Sequence, residues 1–240
     1  MEILLISLLT FVSGIIGTIT GFGISTVMVP FVLLFLPLPE TLLLVGIIHW
    51  FGDLWKILLF KHGIDKKLLL YFGIPGIIAA LIGGTLVVNF PEDFATRIVG
   101  SVLILYVIYI IIKPNFKVKQ NAPFAILGGG FSGLLGGLTG VGGGALRAIV
   151  LTAFNIPKST YIFTSGVLGA LIDAGRITAY LATGVKIQNA LLTGFVIFVP
   201  ISFLGAEIAK KVVDKIPQKS FRLVVALFLL FLGVKLLIFT

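Results

Sequence analysis

Two pairs of opposite charge recur in a chain that carries few charges: Asp53 with Lys56 and Asp173 with Arg176, each three residues apart. Three residues is close to one helical turn, so each carboxylate can neutralise the cation beside it. His49 precedes Asp53 by four and Lys56 by seven, which places all three on one helical face. Such a set has two readings. The pairs lower the cost of burying charge and pin helices together, with Lys56 snorkelling toward an interface. Alternatively they line a path, and one carboxylate or His49 takes up and releases a proton, although a lone membrane histidine also serves as a packed hydrogen-bond donor.

A second constellation is glycine-rich. Thr139 to Arg147 reads TGVGGGALR, and a weaker copy, TGFGISTV, lies 119 residues earlier at Thr20 to Val27. Glycine releases the backbone from helical angles, so each cluster should break a helix and leave the following half-helix with an exposed N-terminus. Backbone N–H groups and the positive end of the helix dipole converge at such an end, which makes it an anion site. The residues expected to hold the anion are Gly21, Gly23, Ser25 and Thr26 of the first copy, with Thr139, Gly140, Gly142, Gly143, Gly144 and Arg147 of the second. Ser25, Thr26 and Thr139 can donate hydroxyl hydrogen bonds there or cap the helix ends. Arg147 has no acid within a turn on its own helix, so it needs either a substrate anion or a carboxylate from another segment. His49, Asp53, Lys56, Asp173 and Arg176 are expected to line or couple the path to this site.

The elements that must position these residues are membrane helices. The chain has 240 residues, 58% hydrophobic and 11% charged, with a mean hydropathy of +1.20, which excludes a soluble domain. Apolar runs of about twenty residues with short polar connections imply an all-α polytopic bundle, because helices satisfy their own backbone in lipid. The alternation of a barrel is absent. Segments are expected at Ile3 to Thr20, Ile24 to Leu36, Thr41 to Phe60, Leu68 to Val88, Arg97 to Ile112, Phe124 to Thr139, Ala145 to Phe154, Ser159 to Thr183, Ile187 to Ala209 and Phe221 to Phe239. The first segment lacks a positive region before it and is expected to be retained. There is no cysteine, the two histidines and the carboxylates have no metal-ligand spacing, and no Walker motif is present, so neither metal nor cofactor is expected. The net charge of +9 comes from lysines in short connections, which argues against nucleic acid as a partner.

The chain reads as two repeats, residues 1–113 and 124–240, joined by a basic cytoplasmic linker at 114–123. Gly14, Gly17, Gly21 and Gly23 recur as Gly133, Gly136, Gly140 and Gly142, and the acid-base pair recurs one residue of drift later. Pro91 and Arg97 are answered by Pro217 and Arg222. Lys61, Lys66 and Lys67 mark one cytoplasmic loop, the loop from Asn89 to Thr96 with Glu92 and Asp93 falls outside, and the linker with Lys113, Lys117 and Lys119 returns inside. The connection from Lys210 to Arg222 is the most basic and should also be cytoplasmic. That holds only if each glycine-broken stretch is a hairpin returning to its own side, which inverts the second repeat. Each repeat is then a glycine-broken helical hairpin plus three transmembrane helices. Trp50, Trp55, Tyr106 and Tyr109 are expected as interface anchors. Gly83, Gly84 and Gly128 to Gly130 are expected to let helices pack closely.

The two broken stretches, GIIGTITGFGISTVMVP and GLLGGLTGVGGGALRAIV, together with chain length and basic linker, resemble the sulfite exporter TauE/SafE family of membrane permeases. The resemblance covers nearly the whole chain. It implies a multi-pass protein of the cell membrane, not an enzyme, that moves small and often sulfur-containing anions such as sulfite, sulfonates or thiosulfate. Two departures are visible: Ile24 and Ser25 replace glycines in the first copy, and Ala148 and Ile149 stand in place of Val-Pro in the second. Inverted repeats with broken helices are also the architecture of secondary transporters working by alternating access. The expected partners are a small anion, the bilayer and, as a further candidate, a second copy of the chain. The competing reading is a membrane-embedded enzyme acting on a lipid or phosphate substrate with Asp, His and Arg as its catalytic set. Against it, no nucleophile has an adjacent base.

Overall fold

The computed structural model describes residues 2–61, 63, 65–87, 97, 100–101, 103–105, 107–108, 112 and 118–238. The expected external loop 89–96, linker residues 113–117, residues 98–99, 102, 106 and 109–111 of the segment 97–112 (Tyr106 and Tyr109 among them) and the side chain of Arg222 lie outside the described residues.

The described chain is helical: α1 (Glu2–Thr20), α2 (Ser25–Val32), α3 (Leu38–Phe60), α4 (Lys66–Leu86), α5 (Ala122–Thr139), α6 (Gly142–Ala153), α7 (Lys158–Ala182), α8 (Asn189–Lys215) and α9 (Gln218–Ile238). Six of these, α1, α3, α4, α5, α7 and α8, are long and apolar enough to cross a membrane. Helix starts follow from local chemistry. Asn121 accepts the N–H of Phe124 at the head of α5, and Asp65 accepts those of Lys67 and Leu68 at the head of α4. Pro37 and Pro157 occupy the N-cap positions of α3 and α7, where a missing N–H does no harm. Inside α4 the turn Leu69–Gly73 widens to π geometry. Pro75 lies two residues beyond it, and the wider turn relieves the clash of its ring with the carbonyl of Tyr71, four residues earlier.

Several boundaries differ from expectation. α6 begins at Gly142 instead of Ala145, because the break is confined to Gly140 and Val141 and the three glycines form the first helical turn. Gly140 alone takes a left-handed conformation there (φ 69°). α8 begins at Asn189 and runs through the basic stretch to Lys215, so the connection to α9 shrinks to Ile216 and Pro217. Lysine is a good helix former, and the apolar stripe continues through Val213, which is buried.

Small residues bring the helices together. α4 lies against α5, where a side chain on Gly129 would overlap Phe72 O, one on Gly133 would overlap Gly76 O, and one on Gly83 would overlap Leu134 O. Without a hydrophobic drive between helices in lipid, such close backbone approach supplies the packing energy. Gly130 is the exception, since nothing stands within 4 Å of its Cβ position. α1 packs on α8 in the same way through Gly14 and Gly205, whose Cβ positions fall 3.6 and 3.3 Å from the facing glycine Cα. α3 packs along α7, and the short helices α2 and α6 touch each other within the bundle. The two tryptophans bind across these seams instead of anchoring at an interface. Trp50 donates to Ala170 O (3.0 Å) and Trp55 to Ser202 Oγ (2.9 Å).

At 1.5 Å per residue α2 and α6 are about 12 and 18 Å long, well short of a hydrocarbon core of about 30 Å. Every residue of α6 from Gly142 to Ala153 is buried, Arg147 included. A helix this short and fully covered by protein can end at membrane depth, because its free backbone groups face protein and not lipid.

Candidate functional site

The charged residues singled out in the sequence meet in the interior. α3 contributes His49, Asp53 and Lys56, α7 contributes Asp173 and Arg176, and α6 contributes Arg147, all buried. Lys56 Nζ lies 2.6 Å from Asp53 Oδ1, and Arg176 Nε lies 2.8 Å from Asp173 Oδ1, so each in-helix pair forms. Lys56 does not snorkel; at 1% exposure its ammonium ends on Asp53 because α7 covers the route, so closely that a Cβ added to Gly166 would come 2.9 Å from Lys56 Cβ. His49 joins the two pairs. Its Nδ1 is 3.0 Å from Asp173 Oδ2 and its Nε2 is 3.6 Å from Asp53 Oδ2.

Both helix breaks come to this cluster. Gly23 (φ 89°) lies beneath the imidazole, and any Cβ there would overlap His49 Nε2. Ser25, at the head of α2, places Oγ 2.5 Å from His49 Nδ1 and accepts from Arg176 Nη2 at 3.4 Å. Gly21 packs on the ring of Tyr161, which donates to Thr20 O (2.7 Å). The breaks also touch each other. Thr26 donates to Val141 O (3.2 Å), and Gly144 lies against Phe22 O with no room for a side chain. Gly140 presents its Cα beside Arg176, whose Nη1 is 3.6 Å from the Cβ position.

Arg147 finds its partners on other segments. Its Nε donates to Ser165 Oγ (2.9 Å), which in turn donates to Gly21 O (2.6 Å), and its Nη2 stands 3.9 Å from Asp53 Oδ2. The second break's arginine is therefore tied through one hydroxyl to the backbone of the first break. Thr139 acts as a cap, accepting the N–H groups of Val141 and Gly142 (both 3.2 Å). Gly143 faces its own hairpin, with Ser132 O 2.8 Å and Gly136 Cα 3.0 Å from its Cβ position. Its lack of a side chain seats α6 on α5.

The electrostatics are unbalanced. Among the described residues, Lys56, Arg147 and Arg176 are the buried lysine and arginine side chains, and Asp53 and Asp173 are the buried carboxylates. With neutral His49, the cluster holds one more cation than anion. Five of its polar atoms have no hydrogen-bond partner: His49 Nε2, Asp53 Oδ2, Arg147 Nη2, Asp173 Oδ2 and Arg176 Nη1. Orphaned buried groups each cost free energy that a ligand or proton can recover. His49, Asp53 and Asp173 also bring metal-ligating atom types within 4.8 Å of one another, a convergence that linear spacing concealed. The local charge disfavours a metal cation there. Both carboxylates already pair with cations, and a metal cation would add to an excess of positive charge.

Two participants escaped the sequence reading. Ser165 and Gly169 precede Asp173 by eight and four residues, so they share its face on α7. That i, i+4, i+8 register was the available signal.

The family model for the sulfite exporter TauE/SafE matches residues 6–236. A relative is the probable membrane transporter protein MJ0441 of Methanocaldococcus jannaschii, 25% identical over 256 aligned positions that cover 98% of this chain and 95% of the relative. No solved structure matches the chain. The match spans nearly all of both broken-helix stretches and the helices that carry the buried charges, and the chain belongs to the sulfite exporter TauE/SafE family, as a multi-pass membrane transporter.

Proposed function

We propose that the chain is a secondary transporter that carries a small oxyanion, a sulfur oxyanion or organosulfonate, past the junction of its two helix breaks by alternating access. The observation that carries this reading is the excess of one buried cation where the N-terminal ends of α2 and α6 meet. Helix N-termini alone hold an anion by about 0.3–1 kcal/mol each when exposed and up to about 2 when partly buried. Two partly unbonded guanidinium groups, Arg147 and Arg176, raise this substantially, since a charge-assisted hydrogen bond contributes roughly 1.5–3 kcal/mol. The family's name supports sulfite and its relatives as the substrate class.

The proposed carrier is built from two inverted repeats, residues 1–113 and 124–240, around the linker 114–123. The packing pattern supports this. Exchanging α1 with α5, α2 with α6, α3 with α7 and α4 with α8 maps the main helix contacts onto one another: α1 on α8 becomes α5 on α4, while α3 on α7 and α2 on α6 map onto themselves. The first break meets α3 at His49, the middle of that helix, as a half-membrane hairpin requires. The alternative, an enzyme acting on a lipid or phosphate, draws no support from a transporter family.

Counterflow tests the reading. Proteoliposomes loaded with unlabelled thiosulfate should accumulate labelled thiosulfate or sulfite transiently, and Arg147→Ala should abolish it. Release of a chemically altered product, or current without exchange, would overturn the carrier reading.

A further inference from the structure

We propose that His49 is a proton-binding site that matches the charge of the cargo: a dianion enters with one proton, seated on His49, and a monoanion enters with none. This rests on the anion-site reading above. Its basis is the geometry around the imidazole. His49 Nδ1 lies between an acceptor, Asp173 Oδ2 at 3.0 Å, and a donor, Arg176 Nη2 at 3.1 Å, with Ser25 Oγ at 2.5 Å.

Neither neutral form of the ring satisfies these neighbours. If Nδ1 is bare, it accepts from Arg176 and Ser25, but its lone pair then faces the unbonded Asp173 Oδ2. If Nδ1 carries the only proton, it bonds Asp173, while bare Nε2 faces the equally unbonded Asp53 Oδ2 at 3.6 Å. An imidazolium directs one N–H toward each carboxylate and turns both of those contacts attractive, leaving Arg176 Nη2 to donate to Ser25 Oγ. The structure thus holds a place for a proton between two carboxylates, one from each repeat.

Charge decides when that place fills. The groups around His49 are Asp53 and Lys56 on its own helix α3, Ser25 on α2, and Asp173 and Arg176 on α7, with Arg147 of α6 beyond Asp53 at 3.9 Å from its Oδ2 and Tyr180 beyond Arg176 donating to Gly137 O. Their formal sum is one positive charge with neutral His49. A monoanion cancels it without a proton. A dianion overshoots by one charge in a low-dielectric interior, where an uncompensated charge is expensive, and a proton on His49 restores balance. No bond to the cargo is made or broken. The proton comes from solvent with the dianion and leaves with it.

The test is proton uptake on binding by the purified, full-length protein in weak buffer. Sulfate and thiosulfate serve as dianions and methanesulfonate as the monoanion. The expected result is about one proton taken up per dianion bound and none per methanesulfonate. Correspondingly, dianion affinity should fall about tenfold per pH unit once pH exceeds the titration of the site, while methanesulfonate affinity stays flat. His49→Gln should remove the proton uptake and weaken dianion binding at least about tenfold, with little change for methanesulfonate. Dianion binding without proton uptake in the native protein would overturn the proposal and leave the anion site standing. Retained uptake in His49→Gln would also overturn it, by moving the proton to a carboxylate. If none of the three anions binds, the anion-site reading itself fails and this inference with it. The native measurement decides even if the variant does not fold.

Discussion

Gly169 makes room for Asp53. A Cβ on Gly169 would overlap Asp53 Oδ2 and come within 2.9 Å of Arg147 Nη2, so the carboxylate and the guanidinium share the space that this glycine leaves open. In the register of the proposed repeats, at an offset of 120, Gly169 answers His49, so one proposed half has an imidazole where the other has a glycine whose gap Asp53 fills.

Gly169→Ala should therefore push Asp53 and Arg147 apart and disturb the site without removing any charge. Oxyanion affinity should fall on the order of tenfold, since overpacking typically costs about 1–3 kcal/mol. Gly130→Ala is the matched control, because its Cβ would meet nothing within 4 Å, and it should leave affinity unchanged. Isothermal titration of both variants checks this, and equal affinities would remove Gly169 from the site.

Breaking the Asp53–Lys56 pair should harm stability more than deleting it. Asp53→Asn leaves Lys56 without its 2.6 Å partner at 1% exposure, and removing one member of a buried pair costs about 3–5 kcal/mol. Replacing both, Asp53→Leu with Lys56→Met, keeps the net charge and should be close to neutral for folding. Thermal unfolding in detergent distinguishes these. A single variant as stable as the double would mean that Lys56 finds another partner.

Much of this arrangement was legible in the sequence because membrane helices are constrained locally. The spans α1, α3, α4 and α5 fall within about three residues of their apolar runs, since lipid forces each helix to satisfy its own backbone. The recurrence of Asp53 and Lys56 as Asp173 and Arg176 identified the two helices that carry charge. What remained hidden depended on contacts between distant segments. Nothing local to Arg147 indicates Ser165, eighteen residues on, nor that Ser165 would also reach Gly21. The three glycines at 142–144 misled for a related reason: glycine permits a break but does not require one, and here Thr139 and Gly140 end α5 while Gly142 already continues as helix.

The charge asymmetry between connections predicts topology. Lys66 and Lys215 should face the cytoplasm and Lys186 the outside, and all three are exposed. The chain has no cysteine, so Lys66→Cys, Lys186→Cys and Lys215→Cys are single reporters without further engineering. Labelling of Lys215→Cys from outside would rule out the inverted-repeat arrangement.

The anion site stands or falls on Arg147. Its Nε is held by Ser165, while Nη2 has no hydrogen-bond partner and lies 3.9 Å from the Asp53 carboxylate, too far for a strong bond. One edge of the guanidinium is thus fixed and the other is available. Arg147→Ala should weaken oxyanion binding about ten- to a hundredfold, corresponding to the loss of one charge-assisted bond. Arg147→Lys should recover only part, because an ammonium keeps the charge but cannot hold Ser165 and an oxyanion in the same planar fork. Ser165→Ala should give an intermediate loss, since it frees the arginine without removing it and also unties the Gly21 carbonyl. The ordering Ala, then Lys, then Ser165→Ala, then native in increasing affinity is specific to a guanidinium that binds directly and is positioned by one hydroxyl. If Arg147→Ala folds and binds with unchanged affinity, Arg176, with its own unbonded Nη1 beside Gly140, becomes the cation that receives the anion.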